Sequence, residues 1–457
     1  MITETRELQT YLEAFSQSGA RRGSEPAWLR EMREDAFALF CQKGFPTTKD
    51  EDWRFTNVAK LAQTPFQVAD PVIRVFDPGQ LDSIPGAACR LVFVNGRFAP
   101  QLSQLGSLPV GVEVGSLRSA LARVRDPFTR VQNPYHDSIL ESHLGRYLDV
   151  KRDAFCALNT ALFEDGLYVH IPRRVVLRAP IHALFVSTPG GAPAMAHTRN
   201  LIFAEAESQA SIVEDYVSFG DGPFFSNAAT EVVAGEDAVL AHYLLEREGL
   251  EAYNVSTLRL EQARSANLSS HSVLLGGGLV RNNVHPVLAG EGAECLINGL
   301  FFGKDRQHVD NYMLVEHASP HCNSRQFYNG ILDGRAHGVF HGRIIVHQDA
   351  QKTDAKQTNR NLLLSDDAQI DTKPQLEIYA DDVKCTHGAT IGQVEENALF
   401  YLRSRGIDEA SARRLLLFAF ASQCLERMRD EGMRAYLDDL VQRWLPENEE
   451  RQKEEAR

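Results

Sequence analysis

Residues Pro286 to Ala293 read PVLAGEGA: a short apolar run, a polar turn and a small residue. The same order recurs in VVAGEDA ending at Ala238, LRLEQARSA at Ala266, MLVEHASPHC at Cys322 and IIVHQDA at Ala350. With Ala210 in SQASI included, the small residues fall at spacings of 28, 28, 27, 29 and 28. Beyond Ala350 the cadence shortens to Ala368 in DDAQI and Val383 in DDVKC, and midway between anchors a second strand often starts. A two-strand unit of about 28 residues cannot bury its apolar face alone, whereas coils stacked along one axis bury a continuous interior. The expected fold is therefore mainly β with flanking helices around a parallel β-helix core, the small residue sitting at a tight corner. A large β-sandwich with evenly spaced turns is the competing reading.

Working outward, four segments are expected: an amino-terminal helical or mixed domain over 1–145, the β-helix over 146–391, a carboxy-terminal helical domain over 392–445, and a charged tail over 446–457. Pro26 to Lys43 places Trp28, Met32, Ala36, Leu39 and Phe40 at helical spacing, with Gly44 as the stop. After Gly392, Ala398, Leu399 and Leu402 precede a Gly406 stop, and Asp408 opens a long stretch of helix formers, so two or three helices close the chain. Leu415 to Ala421, LLLFAFA, is apolar on every side of its helix and is either packed on both flanks or reserved for a partner.

The 457 residues, 43% of them hydrophobic, suffice for a large core, and the formal charge of −13 without long Lys/Arg blocks argues against a nucleic-acid partner. The start of the chain lacks a basic and apolar leader, and no apolar run approaches a membrane span, so a cytoplasmic protein without a membrane span is expected. Seven cysteines without a C-x-x-C pair speak against a disulfide framework and a self-contained zinc site. GLFFGKD, Gly299 to Asp305, fails the phosphate-loop pattern, and Gly276 to Gly278 reads as a tight corner. Paired carboxylates such as Asp366 with Asp367 and Asp381 with Asp382 fall on turns, where they suit corners better than acid–base catalysis. Two alternatives nevertheless stand beside the main reading. One is a β-helix carbohydrate-active enzyme, and the other a histidine-based zinc protein, since nine of fifteen histidines lie between His271 and His387, with His317, His321 and Cys322 close together.

Two further residues remain, in DDVKCTHGATIG, Asp381 to Gly392. In a strand Cys385 and His387 point to one face, which suits shared ligation and ordinary packing equally. Thiolate and imidazole are good iron ligands, yet two donors do not close a site and suffice only at an edge completed by another chain. The plain alternative is that Cys385 is a small buried apolar side chain and His387 begins a turn.

The long segment from NRNLLLSDDAQ, beginning at Asn359, through DDVKCTHGAT to the helix ending at Ile407 resembles the carboxy-terminal signature of the SufB/SufD family of iron-sulfur cluster assembly proteins. KDEDWRFTN, Lys49 to Asn57, resembles the amino-terminal element of its SufD branch. Arg360 stands where the SufB branch carries its cluster-building cysteine. The resemblance implies a non-enzymatic scaffold subunit of a SufBCD complex, paired with a SufB-like paralogue and bound through its carboxy-terminal helices by a SufC-like ATPase, with homodimerisation a possibility for the chain alone. It implies a transient iron-sulfur cluster at the paired edge, with His387 as the residue involved and Cys385 beside it, and reduced flavin in the assembled complex. Leu415, Leu416, Phe418 and Phe420 are the candidate ATPase-docking residues.

Overall fold

The computed structural model describes residues 6–22, 25–70, 79, 81–125 and 134–445. The tail expected over 446–457 lies outside them. The core is a flattened solenoid. Its strands alternate between two sheets of ten strands, and each solenoid strand pairs in parallel with the strand two positions on in sequence. The first sheet ends at Gln369–Ile378 and the second at Lys384–Gly392. Cys89–Val94, far upstream of the repeat, joins the second sheet by pairing in parallel with Ile181–Ser187.

The corner chemistry explains the repeat and corrects its phase. The residue just before each corner adopts left-handed backbone: Glu207, Asp237, Ser265, Gly292, His321 and Lys352, at spacings of 30, 28, 27, 29 and 31. That conformation turns each N–H along the solenoid axis onto a turn carbonyl of the next coil, from Glu207 to Glu236 at 2.8 Å through His321 to Gln351 at 2.9 Å and Lys352 to Asp382 at 2.7 Å. Five of the six are not glycine, so the inter-coil hydrogen bonds outweigh the ordinary penalty of about 1–2 kcal/mol for that conformation. Ala238, Ala266, Ala293 and Cys322 are the true corner residues, all fully buried. Ala210 and Ala350 are not. Their coils place Ser208 and Thr353 at the corner, where each hydroxyl bonds the carbonyl three residues back, at 2.6 and 2.9 Å. Ala368 belongs to the opposite row of corners, and Val383 returns to the first row, so the apparent shortening of the cadence is a change of row.

The helices cover the two outer faces. Ala27–Lys43 stops at Gly44, at φ 66°, as expected, but its buried stripe is Leu29, Arg33, Ala36, Phe37 and Phe40, with Trp28 and Met32 only partly buried. Arg33 is buried because its guanidinium lies 3.7 Å from the Phe163 ring centroid and donates to the Phe163 carbonyl at 2.8 Å. Three helices close the described chain, at Glu396–Ser404, Glu409–Leu425 and Glu431–Trp444, the last two opened by Asp408 and Asp430 side chains that cap their first turns. They lie across the second sheet. Asn298 Nδ2 donates to the Cys424 carbonyl at 2.7 Å, Asn329 Nδ2 to that of Phe420 at 2.8 Å, and Cys424 Sγ to that of Gly299 at 3.1 Å.

Inside the solenoid, Gly299 is followed in its column by Tyr328, and a Cβ on the glycine would stand 1.9 Å from that buried ring. Gly299→Ala is therefore expected to lower stability by about 1–3 kcal/mol, the usual range for overpacking. Urea unfolding checks it, and an unchanged midpoint refutes this account of the core.

Candidate functional site at the open end

The solenoid has an uncovered end. Among the described residues, each terminal strand, Gln369–Ile378 and Lys384–Gly392, has a paired neighbour on one side only. Register settles which way their side chains face. Cys385 continues the column Cys295, Ser324, Ala355, and His387 continues Ile297, Gln326, Gln357. Ala355 and Gln357 are each 1% exposed and face the interior, so Cys385 and His387 lie on the interior side of the last strand, at the mouth.

The two candidates differ in surroundings. Cys385 packs against the interior core, and burial raises its thiol above the ordinary value, with nearby Asp354 acting in the same direction. His387 is exposed, because no further coil covers it. The opposing strand presents Pro374 beside Gly342 and Ile370 beside Gly338 toward the same mouth, and Ile378, Tyr379 and Ile391 are exposed apolar side chains around it. Among the described residues, buried Gln357 Oε1 and Thr372 Oγ1 just inside have no hydrogen-bond partner, and neither has Gln326 Nε2 one coil deeper. Among the described residues no three His, Cys, Asp or Glu side chains converge as a metal site. Cys385 and His387 thus share the interior side of a terminal strand edge, and thiolate and imidazole are residue types that suit a soft metal.

The histidines gathered on the preceding coils serve the fold. His317 is buried and bonded to Ser324 Oγ at 2.8 Å, Cys322 fills its corner, and His321 points outward from left-handed backbone, so HASPHCNS gathers no ligand set. His308, His337 and His341 lie on the outer face of the first sheet, bonded to Thr56 Oγ1, Asp371 and Gln375 at 2.9, 2.8 and 2.8 Å. There they meet KDEDWRFTN. Trp53 of that segment stacks on Phe155 with ring centroids 5.0 Å apart and lies under the Arg281 guanidinium, Thr56 bonds Asp310, and Glu51 pairs with Lys373 on the first sheet's last strand. The sequence marks this segment only by its family resemblance; in the fold it braces the amino-terminal region against the coils leading to the mouth. Of the carboxylate pairs, Asp366 and Asp367 lie in the turn between two solenoid strands, and Asp382 pairs with Lys352 of the preceding coil.

Among the candidate docking residues, Leu416, Phe418 and Phe420 are partly buried against the apolar layer between the closing helices and the second sheet, and Leu415 remains half exposed. The preceding helix adds Phe400 and Tyr401, 73% and 55% exposed, which sequence periodicity passes over because they flank its single buried residue, Leu399. Arg360 points outward to Gln423 Oε1 at 3.2 Å, away from the interior. No described helix is long and apolar enough to cross a membrane.

Comparison with known proteins finds relatives that match nearly the whole chain. Residues 185–420 match the family model described as SUF system FeS cluster assembly, SufBD core domain, and residues 5–183 match the SufBD protein N-terminal region. The chain is 33% identical to an iron-sulfur cluster assembly SufBD family protein of Synechocystis, over 95% of both chains. It is 31% identical to the iron-sulfur cluster assembly protein SufD of Escherichia coli, over 96% of this chain and 97% of that one. SufD of Bacillus subtilis is 25% identical over 95% of this chain and 97% of its own length. A two-sheet solenoid with an open donor pair at its mouth, matched along nearly its whole length, places this chain in the SufBD family of iron-sulfur cluster assembly proteins.

Proposed function

We propose that this chain is the SufD-like scaffold subunit of a cytoplasmic SufBCD complex, without enzymatic activity of its own. Its open end pairs with a SufB-like paralogue, and a SufC-like ATPase that supplies the complex's nucleotide hydrolysis docks on the closing helices. The observation that carries the reading is the donor pair Cys385 and His387 on a terminal strand with a free backbone edge. A site that must release its cluster benefits from being half-built in each subunit, because a closed four-ligand cage holds its cargo too well. The nascent cluster is the cargo, held transiently by His387, with Cys385 on the same face. The free edges of both terminal strands supply the means of pairing, since unpaired strand edges recruit other strands. Two copies of this chain would use the same edges when the paralogue is absent. For the ATPase, exposed Phe400, Tyr401 and Leu415 supply apolar surface, while Leu416, Phe418 and Phe420 hold their helix onto the second sheet. Reduced flavin belongs in this proposal to the assembled complex, with no residue of this chain assigned to it.

The test is co-purification of the chain with its SufB-like and SufC-like partners, wild type against His387→Ala, followed by anaerobic iron and sulfide quantification. The variant complex should assemble and carry about ten-fold less cluster or below, the scale of losing a metal-site ligand contact. Normal loading by an intact variant complex removes His387 from the site and reduces this subunit to architecture.

A further inference from the structure

The interior residue beneath His387 has an unmet requirement. Gln357 is 1% exposed, and its carboxamide Nε2 donates to Gln326 Oε1, one coil deeper, at 3.0 Å. Gly342 of the facing sheet leaves room for it there, since a Cβ at that position would stand 2.1 Å from the same Nε2. With the nitrogen committed inward, the carboxamide oxygen is left buried without a partner. A buried acceptor in that state is unfavourable. The next interior-facing side chain along the column is His387, in direct register with Gln357.

We propose that Gln357 is a positioning residue for His387. When the imidazole turns into the mouth, one ring N–H donates to Gln357 Oε1. The ring is thereby fixed as one neutral tautomer, and its other nitrogen faces out of the solenoid with a lone pair available to a metal. The arrangement is the amide counterpart of the carboxylate or carbonyl that commonly orients a ligating histidine. A carboxamide has a particular merit at a transient site. It orients the ring without adding negative charge beside it. Gly342 acts one step further back, by leaving room for the amide from the opposite sheet.

This inference rests on the proposed role of His387, and the experiment separates the two. The full chain, labelled with ¹⁵N-histidine, is examined by long-range ¹H–¹⁵N correlation at a pH where the rings are neutral, with His387→Ala identifying the signal. Wild type should show a single dominant tautomer. Gln357→Met, which keeps the side-chain length and removes the acceptor, should change the tautomer ratio by about five-fold or more, the worth of one ordinary hydrogen bond. Gln357→Glu restores an acceptor and should restore the wild-type tautomer. Should Q357M not yield folded chain, Gly342→Ala displaces the amide from the facing sheet and should produce the same change. An unaltered tautomer ratio in Q357M, or in Gly342→Ala where that variant is the one measured, overturns the positioning role whatever His387 does in the complex. Normal cluster loading by His387→Ala overturns the parent reading, and a five-fold tautomer change would then describe a structural histidine only.

Discussion

Arg199→Met should destabilise the chain by about 3–5 kcal/mol, the range for removing one partner of a buried ion pair. Arg199 and Glu231 are both fully buried, 2.7 Å apart, on neighbouring strands of the first sheet. The arginine also donates to Asn159 Oδ1 at 3.3 Å and Thr160 Oγ1 at 3.1 Å, and the glutamate accepts from the Gly145 and Tyr147 backbone at 2.8 and 2.9 Å. The pair therefore joins the solenoid to the helix Ala154–Leu162 and to the chain leading into it. Methionine leaves Glu231 charged among apolar neighbours with two backbone donors and no counter-ion. Adding Glu231→Gln should recover part of the loss, because the uncompensated charge is the larger share of it. Urea unfolding of wild type, single and double variants measures both effects, and equal midpoints for wild type and Arg199→Met would refute the assignment.

The second large effect is a loss of stability in mild acid. Burial holds His271 down to about 3, with nearby His242 and Arg429 adding to it, and holds His308 and His317 down to about 4. Below the ordinary histidine value of about 6.5, the unfolded chain takes up protons that these rings refuse in the folded state, so stability falls as pH falls toward 4. Each ring contributes about 1.4 kcal/mol per pH unit through that window. His271 has a specific consequence. Its Nδ1 accepts from Asn298 Nδ2 at 3.1 Å, and the same amide donates to Cys424 on the closing helix, so protonation removes an acceptor from the seat of that helix. The share of the urea midpoint due to these rings, measured from pH 7.5 to 4.5, should fall steadily below about 6.5, while buried Glu246 and Glu248, held above the carboxylate range, act the other way. His271→Gln, which stays neutral, should flatten the slope by close to one proton, and an unchanged slope would show that His271 is not one of the responsible groups.

Much of the architecture was legible in the residues because corners in a solenoid obey strict chemistry. Ala238, Ala266, Ala293 and Cys322 mark their corners correctly, small side chains being all that the interior of a tight turn admits. The reading slipped at Ser208 and Thr353, where a hydroxyl that bonds its own turn satisfies the same constraint without looking small and apolar. On the amphipathic helix Ala27–Lys43, a buried arginine shifted the stripe by one residue, since a cation seated on an aromatic ring does not register as apolar in a sequence pattern. At the mouth, the shared face of Cys385 and His387 followed from alternation alone. The role of Gln357 did not, because a glutamine acquires meaning only once register stacks it beneath a histidine thirty positions on. The Leu415 to Ala421 run shows the limit of composition. Leu417 and Ala421 are fully buried, Leu416, Phe418 and Phe420 are partly so, and only a fold could show that a sheet occupies most of that surface.

The way the closing helices sit also makes the solenoid a loaded beam. They grip its flank at Glu294–Gly303 and Asn323–Leu332, with a last contact at Arg360, while the final strand Lys384–Gly392 projects past that grip, exposed along most of its length. A pull on the helices therefore reaches the solenoid by two routes, through the grip behind the mouth and through the short link to the first closing helix, where Val394 is buried in the same layer. The final strand is thus held along one edge by the preceding coil and at its end by the helices, so small rotations of the helices become displacements along the strand on which His387 stands.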